Sequence, residues 1–342
     1  MSTSTITKNV LYASIALAAF IATSALIHSF LPPMVPKGVA AKLEFFRHHK
    51  DEFDTLFVGT SSIYYSVSPE IFDRTARENG LSTRPFNFGI DAMHPPENFY
   101  VLDQILKTKP HGLKWIFLET ANLETKLHKV LGTERAVYWH DWTRTALILQ
   151  KALNPRGDAR WYIKISRLWV ARRDLATHLT LFAQRFASVG RATEFFFPRN
   201  RKSEADLELG PRRDGYRLAG HAMTAEAAAS FQQRLAEEIA QARSKPLDPS
   251  ADATYRIYAA RFKEMGATTI FVVPPLIFQS PIIFRDSPPG PLLSFNNAGT
   301  YPMLFDPSVR IDDAHLTREG AEEFTRLLAH EFVRITQASP KP

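Results

Sequence analysis

Apolar positions along this chain fall into short runs separated by helical stripes. Thr55–Val58 ("TLFV"), Pro85–Phe88 ("PFNF"), Trp115–Leu118 ("WIFL") and Thr269–Val273 ("TIFVV") are continuous, rich in aromatic or β-branched residues, and each is followed by Gly, Pro or a short polar stretch. Helical patterns occupy Pro69–Asn79, Pro96–Lys107 and Ala251–Met265. Strands that alternate with helices and carry no polar face predict an α/β protein with a parallel sheet covered on both faces. Ligand sites in such sheets gather beyond the carboxyl ends of the strands. Gly59–Ser62, Gly89–Asp91, Glu119–Asn122 and Pro274–Pro275 should therefore share one edge.

Two regions break the alternation. From 124 to 247 the chain is long, basic and mostly helical by pattern. There Trp161, Ile165, Leu168, Leu175, Leu179, Phe182 and Phe186 recur at helical spacing. The stripe predicts a helix packed on the sheet domain; docking on a membrane or a membrane partner is the competing reading. Ala225–Ala242 is a second amphipathic pattern. Residues 276–311, rich in Pro, Ser and Asn, are expected to form a long loop.

The N-terminus carries the strongest single signal. Residues 1–9 form a short tail. Val10–Leu31 then contains no Asp, Glu, Lys or Arg, long enough to span a bilayer as a helix. A cleaved signal peptide is the rival, with small residues at Ala22–Ser24, but the apolar run continues past that point and an uncleaved anchor is expected. Residues 32–50 link it to a body at 51–342. Lys37, Lys42, Arg47 and Lys50 follow the span, against Lys8 before it, which by local charge would place the body inside.

Of 342 residues, 42 are Lys or Arg and 35 Asp or Glu, a net charge of +7. The excess is local. Lys126–Arg217 holds 19 basic and 9 acidic residues, leaving 23 against 26 elsewhere. Such a block suits an anionic polymer or lipid headgroups; nucleic acid would explain the block but not the anchor. The absence of cysteine excludes disulfides, thiolate metal sites and a cysteine nucleophile. With no glycine-rich phosphate loop and no HExxH, neither cofactor nor metal is expected.

Candidate chemistry sits at the two ends of the body. "LFVGTSSIYYS" places Ser61 and Ser62 directly after a strand. "IDDAHLTREG" places Asp312 and His315 three residues apart before a helix that Thr317 can cap, with Asp313 a competing carboxylate. Asp91–His94 repeats the DxxH spacing. A serine nucleophile needs a base, a carboxylate that orients the base, and donors for an oxyanion.

In order, the chain presents a strand ending in Gly-Thr-Ser, a strand followed by Asn87-Phe88-Gly89, a strand followed by Asn122, and a DxxH before the last helix. This resembles the SGNH (GDSL-type) hydrolase superfamily. The resemblance runs from Leu56 to about Phe332, with no counterpart motif in 124–247. It implies a three-layer flavodoxin-like fold, here with a basic helical insertion and one transmembrane helix. It makes Ser61 the nucleophile, His315 the base and Asp312 its partner, with the Gly89 N–H and the Asn122 side chain as oxyanion donors. Thr60 stands where many members carry Asp, and Thr120 where the third block has Gly.

The anchor narrows the resemblance to members that work beside membrane-bound O-acyltransferases in acylating cell-envelope polysaccharides. Its implications are a periplasmic or extracellular body on the cytoplasmic membrane, a membrane acyltransferase partner, a polysaccharide substrate, and transfer or hydrolysis of an O-acyl group such as acetyl. A non-catalytic accessory that docks with such an acyltransferase, or guides polymer, is the alternative.

Overall fold

A computed structural model of the protein describes residues 3–30, 35–93, 95–123, 133–154, 160–187, 207–218 and 220–338. They fall into two compact units. One contains residues 1–36, 125–153 and 160–201; the other contains 37–124, 154–159 and 202–342.

The second unit is α/β, built on a five-stranded parallel sheet. Its strands are β1 (Thr55–Gly59), β2 (Pro85–Gly89), β3 (Trp115–Glu119), β5 (Thr268–Val273) and β7 (Leu292–Ser294), in spatial order β2-β1-β3-β5-β7. A separate two-residue parallel pair joins β4 (Lys245–Pro246) to β6 (Ile282–Ile283). The four strands expected from sequence all form, three of them one residue longer at the carboxyl end. β1 is buried along its whole length, as a run with no polar face requires. In register, Gly59 lies beside Gly89, and Val58 beside Leu118.

Alternation along the strands sends residues to opposite faces. Phe57 and Phe117 meet Phe72 of α4 (Pro69–Glu78) and Phe332 of the last helix, α11 (Arg318–Ala338), with ring centroids 4.8 to 5.3 Å apart. Each such buried ring contributes about 1.5–3 kcal/mol by leaving water. Phe271 meets Tyr255 of α10 (Pro249–Glu264). The helix starts are set locally. Ser68 caps α4 with Pro69 in its first turn, and Asp248 caps α10 by accepting the Ala251 N–H at 2.9 Å, with Pro249 following. α10 ends at Gly266, whose φ of +85° favours glycine.

Three expectations change. Residues 276–311 do not form one long loop: they supply β6, the edge strand β7 and two short 3₁₀ turns. β7 is three residues long, too short for any periodicity to show. The 124–247 stretch, expected as one largely helical insertion, divides between the two units. Its helices α6 (Glu134–Val137), α7 (Trp142–Leu153) and α8 (Trp161–Ala187) belong to the first unit, while α9 (Ala225–Gln241) inserts Phe231 into the sheet unit's core. Among the described residues of the first unit, much of the apolar stripe of α8 is left uncovered. Trp161, Ile165 and Phe186 are exposed, and the helix instead buries His178 and Leu181.

The first unit holds α1 (Thr3–Phe30), whose residues Thr5–Ser24 are long and apolar enough to cross a membrane. α8 packs against α1, α6 and α7. Buried His140 and His178 join ring nitrogens at 2.9 Å, and Arg185 donates to the Tyr138 carbonyl at 2.7 Å.

Candidate active site

β1 ends at Gly59 and the chain turns at once into α3 (Ser61–Tyr64). The turn is tight because Gly59 has no room for a side chain: a Cβ there would lie 2.4 Å from both Glu119 Oε2 and Ile63 Cγ1. Thr60 caps α3, its hydroxyl accepting the Ser62 N–H at 3.2 Å. The two serines then part company. Ser62 is buried and donates its hydroxyl to the Ala314 carbonyl at 3.4 Å. Ser61 is partly exposed, and its Oγ lies 2.7 Å from His315 Nε2.

The other side of the site is the loop before α11. Arg310 and Leu316 form an antiparallel bridge that closes residues 311–315 into a narrow turn. Asp312 Oδ1 accepts the Ala314 and His315 N–H groups at 2.8 and 2.9 Å, an Asx-type turn. The same carboxylate receives His315 Nδ1, at 2.8 Å to Oδ2. An ionised carboxylate can only accept, so Nδ1 carries the proton and Nε2 is the acceptor facing Ser61. Burial works against the Asp312 charge, but bonds from His315 and the Ala314 amide outweigh it and hold the carboxyl down at about 2.

Asp313 is the carboxylate not used: it pairs with Arg234 at 2.7 Å. Buried Arg310 holds the turn from below, donating to the carbonyls of Asp312, Asp313, Pro275 and Leu304 at 2.8 to 3.1 Å. Tyr65 presents its ring edge-on to His315, 5.8 Å between centroids. Asp91 is exposed and lies near Tyr65, apart from the triad; His94 lies outside the described residues.

Glu119, at the end of β3, stands on the functional edge expected from sequence, which gave it no role of its own. It is buried beneath the Gly59–Ser61 turn and accepts both the Thr60 N–H, at 2.5 Å, and the Thr60 hydroxyl, at 3.1 Å. Burial pushes its carboxyl up to about 7, against the lowering effect of the Thr60 bonds and of nearby His315. Thr60, an anomaly by comparison with the resembled motif, thus has a defined partner in this fold.

The two expected oxyanion donors fare differently. The Gly89 N–H is already engaged, donating to Asn87 Oδ1 at 2.7 Å. Gly89 packs so closely on α3 that an added Cβ would stand 2.4 Å from the Tyr64 nitrogen. Its carbonyl, with those of Asn87 and Gly215, accepts from buried Lys42 Nζ at 2.6 to 3.1 Å. Gly89 is therefore a packing position rather than a free donor, because the Asn87 side chain folds back onto it. Asn122 Oδ1 accepts the Asp248 N–H at 2.7 Å, which fixes the orientation of the amide and leaves Nδ2 without a partner among the described residues. The backbone N–H of Ser61, in the first turn of α3, is likewise unbonded among them.

Ser61 follows the end of β1, beside β3, where the connection leaving β1 runs to β2 on one side and the connection leaving β3 runs to β5 on the other, the usual position for a ligand crevice. No protein-family model matches the chain, and no curated protein sequence matches it significantly.

Proposed function

We propose that the protein is a membrane-anchored serine acyl-ester hydrolase or O-acyltransferase of SGNH type. The observation that carries this is the continuous line Ser61 Oγ–His315 Nε2, 2.7 Å, and His315 Nδ1–Asp312, 2.8 Å. Residues 254 positions apart do not reach this register through local pattern. The sheet order, 2-1-3-4-5 when its strands are numbered along the chain, supports a flavodoxin-like arrangement.

In the first half-reaction His315 Nε2 takes the Ser61 proton as Oγ bonds to the acyl carbon. Asp312 keeps Nδ1 protonated and stabilises the imidazolium. The Ser61 N–H and Asn122 Nδ2 are the available oxyanion donors. Collapse breaks the bond to the leaving oxygen, which takes the proton from His315. In the second half, His315 deprotonates a water or a sugar hydroxyl, which attacks the acyl-serine and frees Ser61. With the α1 span as anchor and the body exported, a cell-envelope polysaccharide beside a membrane-bound acyltransferase is the fitting substrate setting; the acyl group, such as acetyl, then moves to or from its hydroxyls.

The test is Ser61→Ala beside Ser62→Ala, read by labelling with a fluorophosphonate probe and by turnover of an acetyl ester. Ser61→Ala should abolish labelling and cut turnover about 10³-fold or more. Ser62→Ala, which removes one long hydrogen bond, should keep both within a few-fold. Labelling that survives Ser61→Ala but not Ser62→Ala would overturn the assignment. An unlabelled wild type, with polymer acylation intact in cells carrying Ser61→Ala, would instead favour an accessory role.

A further inference from the structure

We infer that α8 is a second membrane element: an interfacial helix that lays its exposed apolar face into the headgroup region of an anionic leaflet. Of the 24 large apolar side chains exposed among the described residues, 9 lie on α1 and 9 on Trp142 and α8, against 6 scattered over the sheet unit. A folded surface that faces only water rarely gathers so much apolar area in one place.

All but Val170 of these α8 side chains fall on one face. Trp161, Tyr162, Ile165, Leu168 and Trp169 are 45 to 73% exposed and lie at helical spacing. The opposite side is already used, since His178, Leu181 and Arg185 face α6 and its neighbours. Among the described residues of its unit, none covers the outward face.

Two observations select lipid as the occupant. α8 packs directly on α1, the helix with the length and composition of a membrane span. Arg160 just before α8 and Lys164, Arg167, Arg172 and Arg173 in its N-terminal half also interleave with the aromatics, against the single acidic Asp174. Arg172 lies 4.0 Å over the Trp169 ring. Tryptophan and tyrosine beside cations are the composition of a helix that lies in the interface plane, with aromatic rings at headgroup depth and guanidinium groups on phosphates. The charges on α8 also prevent it from crossing the bilayer as α1 can.

The chain has no cysteine, so single-cysteine variants of the full-length protein report one site each. Nitroxide labels at Ile165→Cys and Leu168→Cys, and at Ser166→Cys about 100° around the helix from Ile165, would be read in vesicles of equal parts phosphatidylcholine and phosphatidylglycerol. The measurement is relaxation by oxygen, which enters the apolar layer, against a nickel chelate, which stays in water. The oxygen-to-nickel ratio at 165 and 168 should exceed that at 166 several-fold, and should fall in vesicles of phosphatidylcholine alone. Equal nickel access at 165 and 166 would overturn the proposal by placing the stripe in water. Exclusion of both reagents at 165 would overturn it in favour of a protein occupant, with spin–spin broadening marking a second copy. An unchanged ratio without phosphatidylglycerol would refute the anionic headgroup as ligand.

Discussion

Glu119 shows how one buried carboxyl couples the strand layer to the turn that carries Ser61. Its two bonds to Thr60 set the residue before Ser61, and Thr60 in turn caps α3. With the carboxyl at about 7 against an ordinary 4.5, the folded protein keeps a proton that the unfolded chain releases between those values. The contribution favours folding fully below about pH 4.5 and is lost as pH rises through 7, an effect of about 3 kcal/mol. Thermal unfolding of the full chain should therefore show a component that weakens from pH 5 to pH 8. Glu119→Gln should flatten it; an unchanged pH dependence in that variant would show that the carboxyl does not titrate in this range. Arg310 makes the complementary case for a buried cation. Its guanidinium satisfies four carbonyls and sits between the Phe231 and Phe305 rings. Arg310→Met leaves those acceptors unpaired and should cost about 3 kcal/mol or more in denaturant unfolding. It should also slow fluorophosphonate labelling of Ser61, because the turn carrying Asp312 and His315 loses its support.

At the scale of elements, the site depends on how closely β2 and α3 approach. Gly89 lies against the backbone of α3, and Asn87 ties β2 to that helix through the Ile63 and Val67 carbonyls at 2.9 and 2.7 Å. Gly89→Ala should push α3 outward, lower the unfolding midpoint by an amount equivalent to about 1–3 kcal/mol, and weaken Ser61 labelling. Gly80→Ala is the control for composition. Gly80 has open space around it but a φ of +83°, so it should cost about 1 kcal/mol through backbone strain alone and leave labelling intact. The patterned helices and strands of the sheet unit were legible from sequence to within a residue or two, whereas α1 begins at Thr3, seven residues before the expected span. β7 was not legible, since three residues at a sheet edge carry no period, and their strand identity comes from pairing with Phe271–Val273.

At the scale of the molecule, the chain divides between a unit containing the span and a unit containing the sheet and the triad. The charge balance after the span, which by sequence pointed the body inward, loses part of its force. Lys42 is buried in the sheet unit with three carbonyl partners and a Tyr64 ring 3.8 Å from its ammonium group, so it is not a headgroup-facing cation. An exported body is the expectation under the proposed function. An alkaline phosphatase fused at the C-terminus should be active in cells, and an inactive fusion beside an active cytoplasmic reporter at the same point would reverse the topology.

What the sequence determined by itself was the set of parts: an apolar span, a parallel α/β body read from unbroken apolar strands, and a Ser, His and Asp near its two ends. Those features are local or periodic, so a single strand or helix suffices to display them. Three matters were decided only by tertiary structure. Ser61 was separated from Ser62 because one hydroxyl meets His315 while the other is buried against Ala314. Asp312 was separated from Asp313 because Arg234 claims the latter. Glu119 gained its place under the Ser61 turn through β1–β3 pairing, and the α8 stripe was left exposed among the described residues. Each of these depends on which residues distant in the chain become neighbours, and side-chain pattern within one element carries no record of that.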